Sequence, residues 1–265
     1  MSARTPMLKQ YLEIKKEYPD SILFFRLGDF YEMFFEDARI ASKVLGIALT
    51  SRNKSENDPV PLCGVPHHSA EPYLAKLLSG GHKVAVCEQV EDPKEAKGVV
   101  KRKVVRVLTP GAIIDSEKIP SKENNYLAAV VMGESACALA CTDISTGEFR
   151  VSSFDSADEL VGELSNLNPK ELLLSEGAEV NEAIRGISDR GKGSPLITYV
   201  DRWVWEPDSA RELLLEHLSV KTLEPYGLDE SPEAVSACGA IIKYLNDTQL
   251  EDMPPLEEPR HYRNT

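Results

Sequence analysis

The sequence predicts an α/β fold in two domains. Amphipathic helical segments alternate along the chain with apolar runs of strand length. The charge also changes sign, because residues 1–109 hold 17 basic and 14 acidic residues (net +3), whereas residues 110–265 hold 13 and 29 (net −16). A polyanion should therefore bind the first part of the chain in preference to the second.

The composition, with 42% hydrophobic and 28% charged residues, is that of an ordinary globular protein. The sequence has neither the apolar run of about 18 residues that a membrane span needs nor the charged and then apolar start of a signal peptide. We therefore expect a cytoplasmic protein with no membrane partner. The five cysteines are odd in number and scattered, which argues against a disulfide framework.

Four segments describe the domain organisation that we predict. A mixed-sheet α/β domain occupies residues 1–109, and a linker follows over residues 110–122, where turn and linker residues accumulate. Residues 123–250 form the second domain. Residues 251–265 are acidic and proline-rich, and we expect them to begin a further, truncated domain.

The stretch SILFFRLGDFYEMFFEDARIASKVLG, which begins at Ser21, organises the first domain. An amphipathic helix precedes it. Two apolar runs of strand length, Ile22–Phe25 and Phe30–Phe34, flank a Gly-Asp turn, and helical spacing then continues to a stop at Gly46. The pattern predicts a β-hairpin followed by a helix.

Phe30 and Glu32 are the candidate binding pair of this hairpin. Alternate residues of a strand share a face, so a strand places the Phe30 ring beside the Glu32 carboxylate, whereas a helix would separate them. Aromatic runs are more often core than surface. The pattern alone therefore leaves open a buried Phe30 with Glu32 as its solvated neighbour.

The rest of the first domain continues the α/β pattern. Thr50–Asp58 is polar and predicts a loop, and Pro59–Pro66 predicts a turn-rich segment. A helix over Ala70–Leu78 then leads to a buried strand over His82–Val90. The cysteines and histidines of this region lack the paired spacing of structural zinc sites, so we expect no metal.

Two groups of basic residues are candidates for phosphate contacts, which position a protein without reading sequence. One group, Arg52 and Lys54, lies in the predicted loop. The alternative for both groups is an ordinary solvated loop or strand face. The second group is the densest basic cluster of the chain and comprises Lys101, Arg102, Lys103 and Arg106.

The second domain begins with three consecutive strands, Tyr126–Val131, Ala136–Ile144 and Gly147–Phe154, which predict an antiparallel meander. Helices and strands alternate after it, and the last helix is long and ends near Thr248. This order suggests a ribonuclease-H-like sheet flanked by helices.

Two motifs of the second domain indicate chemistry only weakly. Residues 186–193 nearly match a P-loop, but Gly193 stands where the motif needs a hydroxyl, so we expect neither nucleotide binding nor enzymatic activity in this chain. Asp143, in the turn DISTG, resembles the first acidic strand end of ribonuclease-H-like nucleases. A metal-dependent nuclease is thus the rival function. Later strands add only Glu171, and capping of its own turn is the simpler role for Asp143.

The segment LGDFYEMFFEDA resembles the Phe-x-Glu segment of the MutS family, bacterial proteins that recognise DNA mismatches. The likeness extends through TPMLKQYLEIKKEYPD before it and through PVPLCGVPHHSAEPYLAKLLSGGHKVAVCEQVEDP and RKVVRVLTPG after it. It implies that Phe30 wedges into the minor groove and stacks on a mispaired or unpaired base, while Glu32 hydrogen-bonds to that base. It also implies that basic residues of the first domain contact the flanking phosphates.

The same resemblance implies partners beyond this chain. The second domain resembles the family's connector, which joins mismatch recognition to an ATPase region and contacts a MutL-type partner. The family's full-length protein is expected to be a homodimer. ATP and Mg²⁺ would belong to the ATPase domain, which this chain lacks, and we expect no cofactor in the chain itself.

The chemistry of Glu32 adds a hypothesis. A carboxylate near phosphates is repelled, and desolvation between the Phe30 ring and a base raises its pKa. A protonated Glu32 could donate a hydrogen bond to a base acceptor. We therefore expect repulsion at intact duplex and a proton-dependent hydrogen bond at a lesion.

Overall fold

The computed structural model describes residues 5–52, 59–91, 98–112, 124–133, 136–177, 182–188, 193–249 and 255–262. Its contacts divide the chain into two compact units, the first of Met1–Thr109 with Gln249–Glu251 and the second of Pro110–Thr248 with Asp252–Thr265. Within these described ranges, no helix is both long and apolar enough to cross a membrane. All five cysteines are buried and free.

The first unit is a six-stranded mixed sheet with helices on both faces. The sheet order is β3-β4-β2-β1-β5-β6, in which β1 and β5 are parallel and the other neighbours are antiparallel. Its elements are α1 (Pro6–Glu17), β1 (Ser21–Leu27), β2 (Phe30–Phe34), α2 (Phe35–Leu45), β3 (Thr50–Arg52), β4 (Val60–Pro66), α3 (Glu71–Ser79), β5 (Lys83–Gln89) and β6 (Arg102–Leu108).

Helix α1 covers one face of this sheet. Its first turn is capped by the Thr5 hydroxyl, which accepts from the Leu8 N–H at 3.4 Å. The α1 face of the sheet is the surface that packs on this helix, and its buried members include Phe25, Phe34 and Val104. Helix α2 lies over β4 on the other face, where the Cys63 thiol donates to a main-chain carbonyl of α2 at 3.4 Å.

Asp37 ties α1, β1 and α2 together. Its carboxylate is buried and accepts from the Tyr11 hydroxyl at 2.8 Å and from the Leu23 N–H at 3.0 Å. The Lys15 ammonium lies 2.9 Å from the other carboxylate oxygen. Both carboxylate oxygens that burial removes from water thus have a donor, which is what makes a buried carboxylate tolerable.

Two segments of the first unit differ from the sequence prediction. Thr50–Arg52, expected in a loop, is the short strand β3, and Pro59–Pro66, expected to be turn-rich, is mostly the strand β4. The prolines hid an alternation in which Val60 and Leu62 pack toward α1 while Cys63 and Val65 are buried on the other side. Pairing with β2 therefore overrides the local proline signal.

The second unit is also a six-stranded mixed sheet, in the order β11-β10-β7-β8-β9-β12. The meander β7-β8-β9 is antiparallel, whereas β10 pairs parallel with β7 and β11 pairs parallel with β10, which confirms the ribonuclease-H-like α/β prediction. Its elements are β7 (Tyr126–Met132), β8 (Cys137–Asp143), β9 (Glu148–Phe154), α4 (Ala157–Leu167), β10 (Glu171–Ser175), α5 (Glu182–Ser188), β11 (Leu196–Val200), α6 (Pro207–Leu218), α7 (Pro232–Thr248) and β12 (Arg260–His261).

We expected residues 251–265 to begin a further domain, but the described part of this segment, residues 255–262, pairs with the second sheet. Strand β12 pairs parallel with β9. The Glu257 N–H donates to the Gly147 carbonyl at 2.7 Å, and the Tyr262 N–H donates to the Val151 carbonyl at 3.0 Å. The acidic, proline-rich composition gave no sign of this pairing, because it depends on an open edge of β9 more than 100 residues earlier.

Candidate nucleic-acid interface

The tip of the β1–β2 hairpin presents Phe30 to solvent. Gly28 has a φ of +60°, which lets the chain reverse between the paired residues Leu27 and Phe30. The Asp29 carbonyl accepts from the His67 N–H at 2.9 Å, so the start of the 3₁₀ turn after β4 holds the tip. Phe30 is 46% exposed.

Strand β2 confirms the strand prediction for Phe30–Phe34, so Phe30, Glu32 and Phe34 share the α1 face. Their environments differ along the strand. Phe34 is fully buried in the core beneath α1, Glu32 is half-buried, and Phe30 is exposed. Exposure on this face therefore increases along β2 from Phe34 in the core to the exposed ring of Phe30.

Glu32 lies between Phe25 on β1 and Gly64 on β4, its two partners in the sheet. Burial raises the pKa of the Glu32 carboxyl, and the nearby Arg52 guanidinium offsets part of this rise. The Arg52 Nη1 lies 3.5 Å from Glu32 Oε2. The structure thus brings together two residues that the sequence proposed for separate contacts, one with a base and one with a phosphate.

The opposite face of the hairpin is fixed by a polar cluster. The Tyr31 hydroxyl donates to the Glu88 carboxylate, and the Arg26 guanidinium lies 3.5 Å from the same carboxylate. Burial and the hydrogen bond to Glu88 raise the pKa of Tyr31 to about 12. Tyr31 is therefore neutral at physiological pH and anchors β2 to β5 behind the exposed ring.

Arg102 is used inside the first unit. Its Nε donates to the Arg26 carbonyl at 2.5 Å, and its Nη1 donates to the Gln10 side chain at 3.0 Å and to the Val100 carbonyl at 2.7 Å. The guanidinium also lies 4.8 Å from the centre of the Phe25 ring. We predicted that Arg102 binds phosphate, but three of its N–H donors and one face of its guanidinium hold β6 on the sheet.

The other basic candidates are exposed but do not gather beside Phe30. A β-bulge opposite Val86 and Cys87 skips Val105, so that Val104 and Val107 both face α1. Lys103 and Arg106 therefore project on the opposite face from Phe30 and Glu32, and Arg106 lies 3.8 Å from Glu71 of α3. Lys101 is exposed just before β6, and Lys54 lies outside the described residues.

The carboxylates of the rival nuclease hypothesis serve structural roles. Asp143 accepts from the Asn125 N–H at 2.9 Å and from the Ser145 N–H at 3.0 Å, which confirms its role as a turn cap. Buried Glu171 accepts from the Gly111 N–H, the Thr198 hydroxyl and the Tyr244 hydroxyl at 3.1, 2.6 and 2.6 Å. Within the described part of the chain, no three His, Cys, Asp or Glu side chains are placed to hold a metal ion.

Three features of the site were missed by the sequence reasoning: Gly64 opposite Glu32, the contact of Arg52 with Glu32, and the hold of His67 on the Asp29 carbonyl. All three depend on β4, which we did not predict as a strand because of its prolines. The period-two pattern of Val60, Leu62 and Gly64 was the available signal.

Together the fold and the site define a class: a two-unit α/β protein whose first unit presents an aromatic ring at a hairpin tip beside a half-buried carboxylate. Residues 5–117 match the family model described as MutS domain I, and residues 125–257 match MutS domain II. The chain belongs to the MutS family.

Curated relatives support the same assignment. The chain is 46% identical over 258 residues to the DNA mismatch repair protein MutS of Desulfatibacillum aliphaticivorans, which covers 97% of this chain and 29% of that protein. It is 47% identical over 253 residues to MutS of Desulforapulum autotrophicum, and the match covers 94% of this chain and 28% of that protein. It is 44% identical over 267 residues to MutS of Halothermothrix orenii, covering 100% and 29%. The chain thus spans less than a third of the length of these relatives.

Proposed function

We propose that the first unit recognises mismatched DNA by inserting Phe30 into the minor groove, where the ring stacks on a mispaired or unpaired base. The exposure of Phe30 carries the proposal. All seven phenylalanines of the chain lie within the described residues, and Phe30 is the exposed one. An exposed ring at a rigid tip has no role in the core of its own domain.

The physics of insertion explains why a mismatch would be preferred. An apolar wedge separates neighbouring bases at a cost of about a few kcal/mol per step, and this cost is lowest where pairing is already broken. The protein would therefore detect deformability and would not need to read the surrounding sequence. A hairpin held by His67 and by the Tyr31–Glu88 contact loses little freedom on insertion.

Glu32 would act on the same base. It shares a face with Phe30, two residues along β2, so a base stacked on the ring would lie within reach of the carboxyl group. Its pKa is already raised by burial in the free protein, and enclosure against a base adds desolvation in the same direction. A neutral Glu32 would donate a hydrogen bond to a base acceptor.

Phosphate contacts would come from the exposed basic residues. Arg52 lies on the α1 face near Glu32, whereas Lys101, Lys103 and Arg106 lie along or next to the edge strand β6. Lys54 stays a candidate on sequence grounds. Arg102 would support these residues by fixing β6, since most of its donors are occupied within the unit.

The remaining proposals rest on the resemblance to the longer relatives. We propose that the second unit acts as the connector, with its acidic surface facing a MutL-type protein, and that the full-length protein is a homodimer. ATP and Mg²⁺ would be bound by an ATPase region in the part of the relatives that this chain does not span. Cytoplasmic location is part of the same proposal.

One experiment tests the proposed function against its rival. The chain is titrated with a fluorescent duplex that carries one unpaired base and with the matched duplex, with and without Mg²⁺, and the DNA is then examined for cleavage. Tighter binding to the unpaired base without cleavage is the expected result. Mg²⁺-dependent cleavage would instead support the nuclease, and equal binding to both duplexes would contradict mismatch recognition.

A further inference from the structure

The contact between Arg52 and Glu32 crosses an entire strand. Arg52 ends β3, Glu32 is central in β2, and β4 lies between them. Arg52 is far from Glu32 in the hydrogen-bond ladder, yet its Nη1 lies 3.5 Å from Glu32 Oε2. A contact of this kind needs a long side chain and an open path across the intervening strand.

Gly64 leaves room beside the Glu32 side chain. It is the residue of β4 directly opposite Glu32, and it has no side chain to stand above the strand. A Cβ placed there would lie 3.5 Å from Glu32 Cγ and 3.2 Å from the Tyr31 carbonyl oxygen. Any larger residue would therefore crowd the Glu32 side chain that contacts Arg52.

We infer that Arg52 is a specificity-determining residue of this site: it neutralises Glu32 in the free protein and gives up that contact to a DNA phosphate when a duplex binds. This inference rests on the proposed function. It assigns to Arg52 a role that acts through Glu32, in addition to the attraction that any basic residue has for DNA.

The charges around the pair support an exchange of partners. Arg52 faces Glu32 from β3, and the next cation on the same face, Arg102 of β6, is held over the Phe25 ring. Arg26, Tyr31 and Glu88 interact with one another on the opposite face. Arg52 is therefore the cation that can leave, because its side chain is partly exposed and its contact with Glu32 is a single long one.

The exchange would couple affinity to discrimination. While the pair is intact, Glu32 adds no net charge to the face that approaches the duplex. When a phosphate attracts Arg52, Glu32 loses its counter-ion in a half-buried position and takes up a proton more readily. At a lesion the protonated group finds a base to donate to, whereas at a matched pair it remains without one.

The first measurement needs no DNA. Carbon-13 NMR of the side-chain carboxyl groups follows the titration of Glu32 in the whole chain, in Arg52→Gln and in Arg52→Lys. Arg52→Gln should raise the pKa of Glu32, and Arg52→Lys should restore part of the original value. The matched control is Arg39→Gln, which removes an exposed arginine that pairs with Glu36 on α2 at 3.2 Å. An unchanged Glu32 titration in Arg52→Gln would overturn the inference.

The second measurement is a double-mutant cycle with Arg52→Gln and Glu32→Gln, read as the ratio of affinities for the unpaired-base and matched duplexes. Arg52→Gln should change this ratio at least about threefold in the original background and leave it unchanged when Glu32 is already Gln. Equal effects in both backgrounds would reduce Arg52 to a phosphate contact and overturn the inference. If Phe30→Ala leaves the ratio of the two affinities unchanged, the proposed function is wrong. The NMR titration tests the Arg52–Glu32 contact independently of that result.

Discussion

Phe30 and Phe34 lie on the same face of one five-residue strand, yet Phe34 is fully buried and Phe30 is 46% exposed. Phe34 belongs to the buried cluster that includes residues of helix α1, and Phe30 does not. The same residue type thus serves the core at one end of β2 and is available for a ligand at the other. Substitutions of the two rings should separate stability from binding.

Phe30→Ala should abolish the preference for an unpaired base and leave weak general DNA affinity, because the ring supplies stacking and the basic residues supply attraction. Fluorescence anisotropy with both duplexes measures this. The matched control is Leu49→Ala, which truncates another apolar side chain of the first unit, 48% exposed. Equal losses of affinity on both duplexes in Phe30→Ala would contradict the wedge.

Phe34→Ala should act on the fold. Removing a fully buried ring leaves a cavity and costs about 3–5 kcal/mol of unfolding free energy. Urea denaturation followed by circular dichroism measures the loss. Tryptophan fluorescence supplies an internal control, because Trp203 and Trp205 both lie in the second unit and their transition should stay in place. A stable Phe34→Ala protein would show that the core beneath α1 collapses around the gap.

Glu32→Gln should remove the pH dependence of mismatch preference. Because burial raises the pKa of Glu32, the carboxyl is more readily protonated than a free glutamate, and the preference should fall as pH rises through its pKa in the complex. A glutamine amide donates at every pH, so the profile of the variant should be flat. Exposed Glu36 provides the control variant Glu36→Gln, which should keep the original profile. A flat profile in the unaltered chain would rule out the proton-dependent hydrogen bond.

The basic residues of β6 should divide into two kinds. Joint neutralisation of Lys101 and Lys103 should lower affinity for both duplexes and reduce the slope of log affinity against log salt by about 1 per lost contact. Arg102→Gln should instead lower the denaturation midpoint of the first unit, because it removes the bonds to Gln10, Arg26 and Val100. An unchanged salt slope in the double lysine variant would mean that both lysines are merely solvated.

Asp37→Asn should destabilise the first unit by about 2–4 kcal/mol, because the amide loses the charge that Lys15 matches and turns a donor toward other donors. The urea midpoint seen by circular dichroism should fall. Tyr11→Phe is the informative comparison, since it removes one of the three partners and should cost less. Equal midpoints for Asp37→Asn and the unaltered chain would show that the cluster contributes no net stability.

Local pattern predicted much of this molecule. The hairpin, the shared face of Phe30 and Glu32, the antiparallel meander and the turn cap at Asp143 all follow from alternation and turn chemistry within a few residues. What escaped prediction is non-local. Strand β4 forms by pairing with the edge of β2. The Arg102 side chain packs inside the unit because it contacts the Phe25 ring and donates to Gln10.

The same limit applies at the end of the chain. Strand β12 exists only because β9 leaves an edge free, and an acidic, proline-rich segment carries no local sign of it. The Arg52–Glu32 contact joins residues twenty positions apart. It crosses β4, a strand that the sequence pattern did not predict. A sequence pattern predicts which face of a strand a residue takes. The residue that it contacts on that face depends on how the strands assemble into the sheet.

The bulge in β6 adds one residue to the strand without changing the face that its neighbours take. With Val105 skipped by the ladder, Val104 and Val107 both reach the core while Lys103 and Arg106 both stay outside it. Deleting Val105 would leave Lys103, Val104, Arg106 and Val107 in plain alternation, so the same side chains would still face the core and the solvent. The bulge therefore sets the local bend and twist of this edge strand and does not decide which of its residues are buried.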